Sequence, residues 1–207
     1  MIIRLHPETP QARVIDKIAG ELTKGKIYIL PTDTVYALVC SLDNPRAINQ
    51  LYRLKKLPES HHLTLLCKDL AMVSHYAHSL PNSTFRLIKS LTPGPVTFIL
   101  RANRLVDRRG SGKKRTVGIR IVDHPIHQAL MEKLDTPLAS TSITIEEELA
   151  TDPEELELRF GHQIEAVIDG GIRYHEFSTI LDCTEDEIKV IRQGCGDISH
   201  LGLSQAD

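Results

Sequence analysis

Three side chains that carry oxygen atoms, Thr32, Asp33 and Thr34, follow directly after an apolar run typical of a buried strand. The run covers residues 27–30, and Pro31 ends it because proline has no backbone N–H for the sheet. Hydroxyl and carboxylate groups at a strand end can bind a small polar ligand, since open α/β sheets hold ligands at such places. The same residue types also form ordinary hydrogen-bonded turns, so both interpretations stay open.

Basic residues cluster at the end of a helix predicted after residue 44, where Arg53, Lys55 and Lys56 lie close together. Cations at a helix C-terminus stabilise the negative end of the helix dipole, which is a purely structural role. Lysine and arginine also bind phosphate groups, lysine as a mobile point charge and arginine as a bidentate clamp. These residues are therefore candidates for phosphate binding as well.

Residues 116–122 alternate between apolar and other residues, which predicts a strand with one buried face. The alternation places Thr116 and Arg120 together on the opposite face. If that face lines a cleft, Arg120 can pair with a substrate carboxylate through two hydrogen bonds. An ordinary surface strand would show the same alternation.

A basic segment follows the predicted strand at residues 96–100 and contains a single acidic residue, Asp107. Its cations are Arg101, Arg104, Arg108, Arg109, Lys113 and Lys114. Because the net charge of the chain is −2, any attraction to nucleic acid must be local. A dense group of cations can bind RNA phosphates without reading bases, although a solvated basic loop would look the same.

The elements that must position these residues indicate one α/β domain covering residues 1–207. Predicted strands alternate with helices early in the chain and pair as hairpins later, so we expect a twisted mixed sheet, parallel and antiparallel, with flanking helices around a broad concave cleft. Residues 194–207 are expected to form a loosely held tail.

Composition excludes several classes of protein. Apolar residues make up 41% of the chain, enough for a continuous core, yet no apolar run approaches the roughly 18 residues of a membrane helix. The four cysteines are widely spaced, so we expect free thiols and a cytoplasmic protein. Two pairs of histidines at helical spacing lack an obvious third ligand, and no metal site is predicted.

Five segments resemble the YrdC/YciO family in sequence and order, which extends the likeness over nearly the whole chain. They are PTDTVYAL (31–38), TPGPVTFIL (92–100), TVGIRIVDHP (116–125), LASTSIT (138–144) and STILDCTEDEIKVIRQG (178–194). Members of the YrdC branch make threonylcarbamoyl-AMP from ATP, bicarbonate and threonine for tRNA modification. The resemblance implies a YrdC-like fold and this nucleotidyltransferase activity, with Mg²⁺ supplied by the nucleotide.

The resemblance also implies roles for individual residues and a partner. It assigns ATP binding to Lys55, Thr116, Ser140, Ser142 and Arg192, with Lys55 as the catalytic residue. It assigns binding of threonine, or a similar amino acid, to Thr32, Thr34, Tyr36, Arg120 and Ser178. It gives the basic segment a role in binding double-stranded RNA or tRNA, which would be recognised by shape and backbone.

Two positions depart from the pattern of catalytically competent relatives. Where those relatives read K-x-R-P, this chain has Leu57 in place of the arginine, and where they read S-T-S-A-N it has Thr144 in place of the asparagine. An alkyl chain cannot clamp phosphate, and a hydroxyl cannot copy the geometry of an amide. The departures place the chain closer to the YciO branch and leave three interpretations: a weakened synthase, an inactive RNA-binding module with the same fold, or an enzyme with another acyl or nucleotidyl substrate.

Overall fold

The computed structural model describes residues 1–58, 61–106, 116–145, 148–172 and 176–203. Its strands are β1 (Ile2–Arg4), β2 (Tyr28–Leu30), β3 (Ala37–Ser41), β4 (Thr64–Leu66), β5 (Val96–Arg101), β6 (Thr116–Arg120), β7 (Leu138–Ser142), β8 (Thr144–Ile145), β9 (Glu148–Leu149), β10 (Ala166–Asp169), β11 (Thr179–Asp182) and β12 (Lys189–Arg192). Its helices are α1 (Ala12–Thr23), α2 (Pro45–Lys55), α3 (Leu70–Tyr76), α4 (Asn82–Leu91), α5 (Arg104–Val106), α6 (Pro125–Met131) and α7 (Pro153–Phe160), and a 3₁₀ turn covers Ser199–Leu201.

Within the described ranges, ten of these strands form one mixed sheet in the order β1-β10-β2-β3-β7-β4-β6-β5-β11-β12. Strands β4 and β6 run parallel, as do β5 and β11, whereas β7 pairs antiparallel with both β3 and β4. Strands β8 and β9 form a separate antiparallel pair. The predicted single α/β domain with a mixed sheet and flanking helices is confirmed.

The apolar run at residues 27–30 has no polar face, because both faces of strand β2 are covered. Tyr28 and Leu30 pack in the cluster that contains helices α1 and α6, while Ile29 packs on the other side with α2. All three residues of β2 are buried because helices cover both faces of the sheet at this point. The run therefore forms an interior strand, the third of the ten, and the residues after Pro31 follow at the end of that strand.

Helix starts are set by side chains that cap the first turn. Asn44 accepts a hydrogen bond from the Ala47 N–H, and Pro45 occupies the first helical position of α2. Helix α1 begins at Ala12, so Thr9 does not cap it. The Thr9 hydroxyl instead lies 2.9 Å from Nδ1 of His6.

The segment after Gly194 corrects the expectation of a loosely held tail. The Thr179 hydroxyl donates to the Gly196 carbonyl over 2.8 Å, and Ile198 is buried in the core. Apolar burial and this hydrogen bond hold the chain through the 3₁₀ turn to residue 203. Residues 204–207 lie outside the described ranges.

Helix α6 carries a buried histidine, one of whose ring nitrogens has no hydrogen-bond partner. His127 is 1% exposed, and its Nε2 has no hydrogen-bond partner. Burial lowers the pKa of His127 to about 3, and the positive charges of Arg120 and His124 act in the same direction. The imidazole is therefore neutral in the folded protein at ordinary pH.

Acidification should weaken the fold through His127. His127 has a pKa near 6.5 in the unfolded chain and a lower pKa in the folded chain. Below pH 6.5 the unfolded chain binds a proton that the folded chain does not, so the free energy of unfolding falls as the pH falls. Between pH 7 and pH 5 we expect the free energy of unfolding to drop by about 2 kcal/mol from this source. Urea unfolding of the wild type and of His127→Met at both pH values measures it.

The exposed His162 offers a matched control for that experiment. His162→Gln should retain the wild-type pH dependence, whereas His127→Met should lose about 2 kcal/mol of it. A His127→Met protein with the full wild-type pH dependence would contradict the assignment.

None of the helices in the described part of the chain combines the length and apolar character that crossing a bilayer requires.

Candidate functional site

A cleft of about 380 Å³ lies beside the ends of strands β4, β6, β7 and β12 and the turn after β2. Eight of the residues proposed from the sequence line it, although they are spread over 160 positions from 32 to 192. They are Thr32, Thr34, Lys55, Ser140, Ser142, Arg120, Ser178 and Arg192. Their convergence means that one ligand could contact all of these segments.

Arg120, the last residue of β6, is the most deeply buried cation of the cleft. Its Nη1 donates to the Thr34 hydroxyl over 3.0 Å and its Nη2 to Asp33 Oδ1 over 2.5 Å. The Nε is buried and has no hydrogen-bond partner. Burial lowers the pKa of Arg120, and the negative charge of Asp33 opposes that effect. Arg120 therefore retains an unused donor in a site that already holds it rigidly.

The turn after β2 is built from its own hydroxyl groups. The Thr32 hydroxyl donates to the Val35 carbonyl over 2.6 Å and accepts from the Thr34 N–H over 3.1 Å. Both threonines are buried, at 2% and 1% exposure. These residues therefore form an ordinary hydrogen-bonded turn and also belong to the candidate ligand site, because the turn places Thr34 beside Arg120.

Arg192, at the end of β12, is held by β11 and a neighbouring aromatic ring. Its Nε and Nη2 donate to the Ser178 carbonyl over 3.1 and 2.8 Å, and its guanidinium lies 4.6 Å from the centre of the Phe177 ring. The Ser178 hydroxyl lies 2.9 Å from that of Thr97. Burial lowers the pKa of Arg192, and the charge of Arg120 acts in the same direction. Two arginines are thus fixed near each other in one cleft.

Lys55 enters the cleft from the C-terminus of α2. Its Nζ donates to the Thr144 hydroxyl over 3.0 Å, and burial lowers its pKa. Leu57 lines the same cleft, so both sequence departures, Leu57 and Thr144, lie in the region of Lys55. The α2 C-terminus ends with Lys56 in a left-handed conformation, which turns the chain toward the cleft.

The serines of β7 combine a role in the sheet with a position in the cleft. The Ser140 hydroxyl donates to the Thr64 carbonyl of β4 over 2.9 Å, so its lone pairs remain for a ligand that donates. Ser142 lies at the end of β7, one position before the buried Ile143. Both serines line the cleft.

Two of the residues proposed to bind a ligand, Tyr36 and Thr116, do not line the cleft. Tyr36 is fully buried, and its hydroxyl donates to the Gly171 carbonyl over 2.7 Å and accepts from the Gly170 N–H over 3.0 Å. Thr116 begins β6, about 13 Å along the strand from Arg120 at the usual rise per residue, and lines a small interior cavity instead of the cleft. Tyr36 therefore fixes the loop after β10, and neither residue is among those that line the cleft.

The structure describes only part of the proposed RNA-binding set. Arg101 donates from Nη2 to Glu185 over 2.9 Å and from Nε to the Thr184 carbonyl over 2.7 Å. Arg104 begins the short helix α5. The other four cations, Arg108, Arg109, Lys113 and Lys114, lie outside the described residues.

Several contacts that shape the cleft are not predictable from local sequence patterns. Phe177 and Thr97 support Arg192 and Ser178, and Asp33 pairs with Arg120, but these contacts join distant segments and leave no local pattern. His61 and His62 also line the cleft. Two hydrogen bonds position His61: its N–H donates to the Pro58 carbonyl, and its own carbonyl accepts from the Tyr52 hydroxyl over 2.7 Å.

The charge of the cleft follows from these side chains. Lys55, Arg120 and Arg192 come from three different elements, whereas no aspartate or glutamate among the described residues lines the cleft. Hydroxyl groups of threonine and serine supply most of the other polar atoms. Such a surface attracts anions and can donate hydrogen bonds to their oxygen atoms.

Comparison with known proteins identifies the family of the chain. The family model Sua5_yciO_yrdC, described as "Telomere recombination", matches residues 21–194. The chain belongs to the Sua5/YciO/YrdC family. The matched range includes every segment that lines the cleft, from the turn after β2 to the end of β12.

Within the Sua5/YciO/YrdC family, the chain is similar to both uncharacterized proteins and synthases. It is 39% identical over 197 residues to "Uncharacterized protein YciO" of Escherichia coli K12, which covers 94% of this chain and 95% of YciO. It is 28% identical over 184 residues to the threonylcarbamoyl-AMP synthase of Vibrio vulnificus, covering 87% and 98% of the two chains.

Solved structures of the Sua5/YciO/YrdC family share the fold. The crystal structure of E. coli YciO has a TM-score of 0.89 at 37% identity and covers 96% of this chain and 97% of that one. The crystal structure of P. abyssi Sua5 in complex with L-threonine has a TM-score of 0.86 at 28% identity. It covers 94% of this chain, which spans 57% of the Sua5 chain.

Proposed function

We propose that this protein binds ATP and threonine, or a similar amino acid, in the cleft and forms threonylcarbamoyl-AMP at a low rate. The observation that supports this most is the convergence of Lys55, Arg120 and Arg192 in a cleft whose described lining has no carboxylate. Three cations suit a triphosphate and a carboxylate bound side by side. The relatives named threonylcarbamoyl-AMP synthase and the threonine complex of Sua5 support the choice of ligands.

The proposed reaction has two steps. The amine of threonine attacks the carbon of bicarbonate, which gives a carbamate and releases water. A carbamate oxygen then attacks the α-phosphorus of ATP, and pyrophosphate leaves. Bicarbonate is therefore a co-substrate, and no oxidant or reductant is needed.

The side chains act by positioning and by neutralising charge. Lys55 and Arg192 would hold the phosphates, with the Ser142 hydroxyl as a further contact, and the guanidinium of Arg120 would bind the amino-acid carboxylate. Lys55 would stabilise the negative charge that develops on the phosphates as pyrophosphate leaves. Because the described lining offers no carboxylate, Mg²⁺ would be bound by the nucleotide's phosphates.

We expect a low rate because of the two residues, Leu57 and Thr144, that lie near Lys55. Leu57 contributes no charge there, and the Thr144 hydroxyl already accepts the hydrogen bond of Lys55. A missing donor to a transition state typically lowers the rate by two to three orders of magnitude, roughly. Activity should be measurable with long incubation and weaker than that of a synthase with arginine and asparagine at these positions.

Release of pyrophosphate in the presence of ATP, bicarbonate and threonine tests the proposal. We expect pyrophosphate to appear only when all three substrates are present, and Lys55→Met to abolish it. Turnover that does not depend on threonine, or that survives Lys55→Met, would contradict the assignment.

Binding of double-stranded RNA or tRNA stays a prediction from the basic segment of the sequence. If it occurs, affinity should fall steeply with salt, because phosphate contacts release counterions. A filter-binding titration of a short RNA duplex at several salt concentrations measures this. Salt-sensitive RNA binding together with an absence of turnover would favour the RNA-binding module.

A further inference from the structure

The three cations of the cleft differ in how their charge is compensated. Arg120 forms a buried ion pair with Asp33, and the two side chains are 7% and 11% exposed. Lys55 bonds to the Thr144 hydroxyl, and Arg192 to the Ser178 carbonyl. Among the described residues, neither of these two cations pairs with a carboxylate. Lys55 and Arg192 therefore contribute uncompensated positive charge to the cleft, whereas Asp33 largely compensates the charge of Arg120.

Asp33 is fixed behind Arg120 and does not line the cleft. Its Oδ1 accepts from Arg120 Nη2 over 2.5 Å, and its Oδ2 accepts from the Asp123 N–H over 3.2 Å. Thr34 holds the second terminal nitrogen of Arg120, so the guanidinium cannot rotate without breaking contacts on both sides. Arg120 still lines the cleft, and each of its terminal nitrogens has a second N–H that remains as a donor for a ligand.

The difference in charge compensation affects which ligand group each cation attracts. A phosphate group carries about two negative charges and is attracted most by uncompensated cations. An amino acid is a zwitterion, and a bare guanidinium would attract its carboxylate but repel its ammonium group. A neutral Arg120–Asp33 pair still donates a hydrogen bond to the carboxylate, and the nearby negative charge offsets the repulsion of the ammonium.

We infer that Asp33 determines specificity, by dividing the cleft into a phosphate subsite at Lys55 and Arg192 and a neutral subsite at Arg120 that accepts a zwitterionic amino acid and rejects phosphate. This inference rests on the proposed function. Asp33 acts through Arg120 and is a positioning residue, because it does not touch the ligand.

Calorimetric titration of threonine, with and without saturating pyrophosphate, tests the role of Asp33. In the wild type, threonine affinity should not change when pyrophosphate is added. In Asp33→Asn, which keeps the size of the side chain and an acceptor oxygen, threonine should bind about tenfold more weakly or worse, and pyrophosphate should now compete with it. Asp123→Asn is the matched control, since it removes a charge next to Asp33 without touching Arg120, and it should behave as the wild type.

The outcomes separate this inference from the proposed function. A wild type that binds no threonine overturns the proposed function and the inference together. A wild type that binds threonine, with Asp33→Asn showing the same affinity and no competition by pyrophosphate, overturns the inference alone.

Asp33→Glu separates charge from geometry and covers the case in which Asp33→Asn fails to fold. It keeps the negative charge, so pyrophosphate should still be excluded even where threonine affinity falls. Competition by pyrophosphate in a folded Asp33→Glu protein would overturn the inference.

Discussion

Replacing Arg120 with methionine is expected to abolish threonine binding and to lower the free energy of unfolding by about 3–5 kcal/mol. The loss of binding follows because the buried guanidinium supplies the proposed donor for the carboxylate. The loss of stability follows because Asp33, 11% exposed, is left as a buried charge without its partner. Calorimetry with threonine and urea unfolding measure the two effects.

The double variant Asp33→Asn/Arg120→Met separates the two effects. Removing both charges eliminates the unpaired carboxylate, so most of the lost stability should return. Threonine binding should remain absent, because the donor is still missing. A stable double variant that binds threonine with wild-type affinity would show that Arg120 does not hold the amino acid.

Introducing arginine at position 57 and asparagine at position 144 should raise the rate of pyrophosphate release on the order of a hundredfold or more. Leu57 and Thr144 both line the cleft with Lys55, so the new guanidinium and amide would lie within reach of the same phosphates. Freed from its contact with the Thr144 hydroxyl, Lys55 would also be available to the nucleotide. Steady-state rates with all three substrates measure the gain.

Asn49→Arg supplies the control for that gain of activity. Asn49 is exposed on α2, so the variant adds the same charge to the same helix without lining the cleft. It should leave the rate unchanged. A Leu57→Arg/Thr144→Asn protein that folds, binds ATP and turns over no faster than the wild type would show that these two positions do not limit activity.

Much of the fold was predictable because it depends on local patterns. The apolar run before Pro31 forms β2, and the helix predicted after residue 44 is α2. Each pattern involves neighbouring residues, so hydrophobic periodicity and capping preferences are sufficient to identify it.

The cleft was only partly predictable because it depends on contacts between distant segments. Period two places Thr116 and Arg120 on one face of β6, but it cannot tell which end of the strand meets the cleft. Tyr36 follows the same motif as Thr34, yet the glycine turn at residues 170–171 satisfies its hydroxyl in the interior. The pairing of Asp33 with Arg120 spans 87 positions and has no local signal.

A crystal structure with ATP and threonine tests the central claim most directly. We expect the triphosphate between Lys55 and Arg192 and the threonine carboxylate within hydrogen-bond distance of a terminal nitrogen of Arg120. Threonine or nucleotide bound on another face of the molecule, with the cleft occupied by neither, would contradict the account.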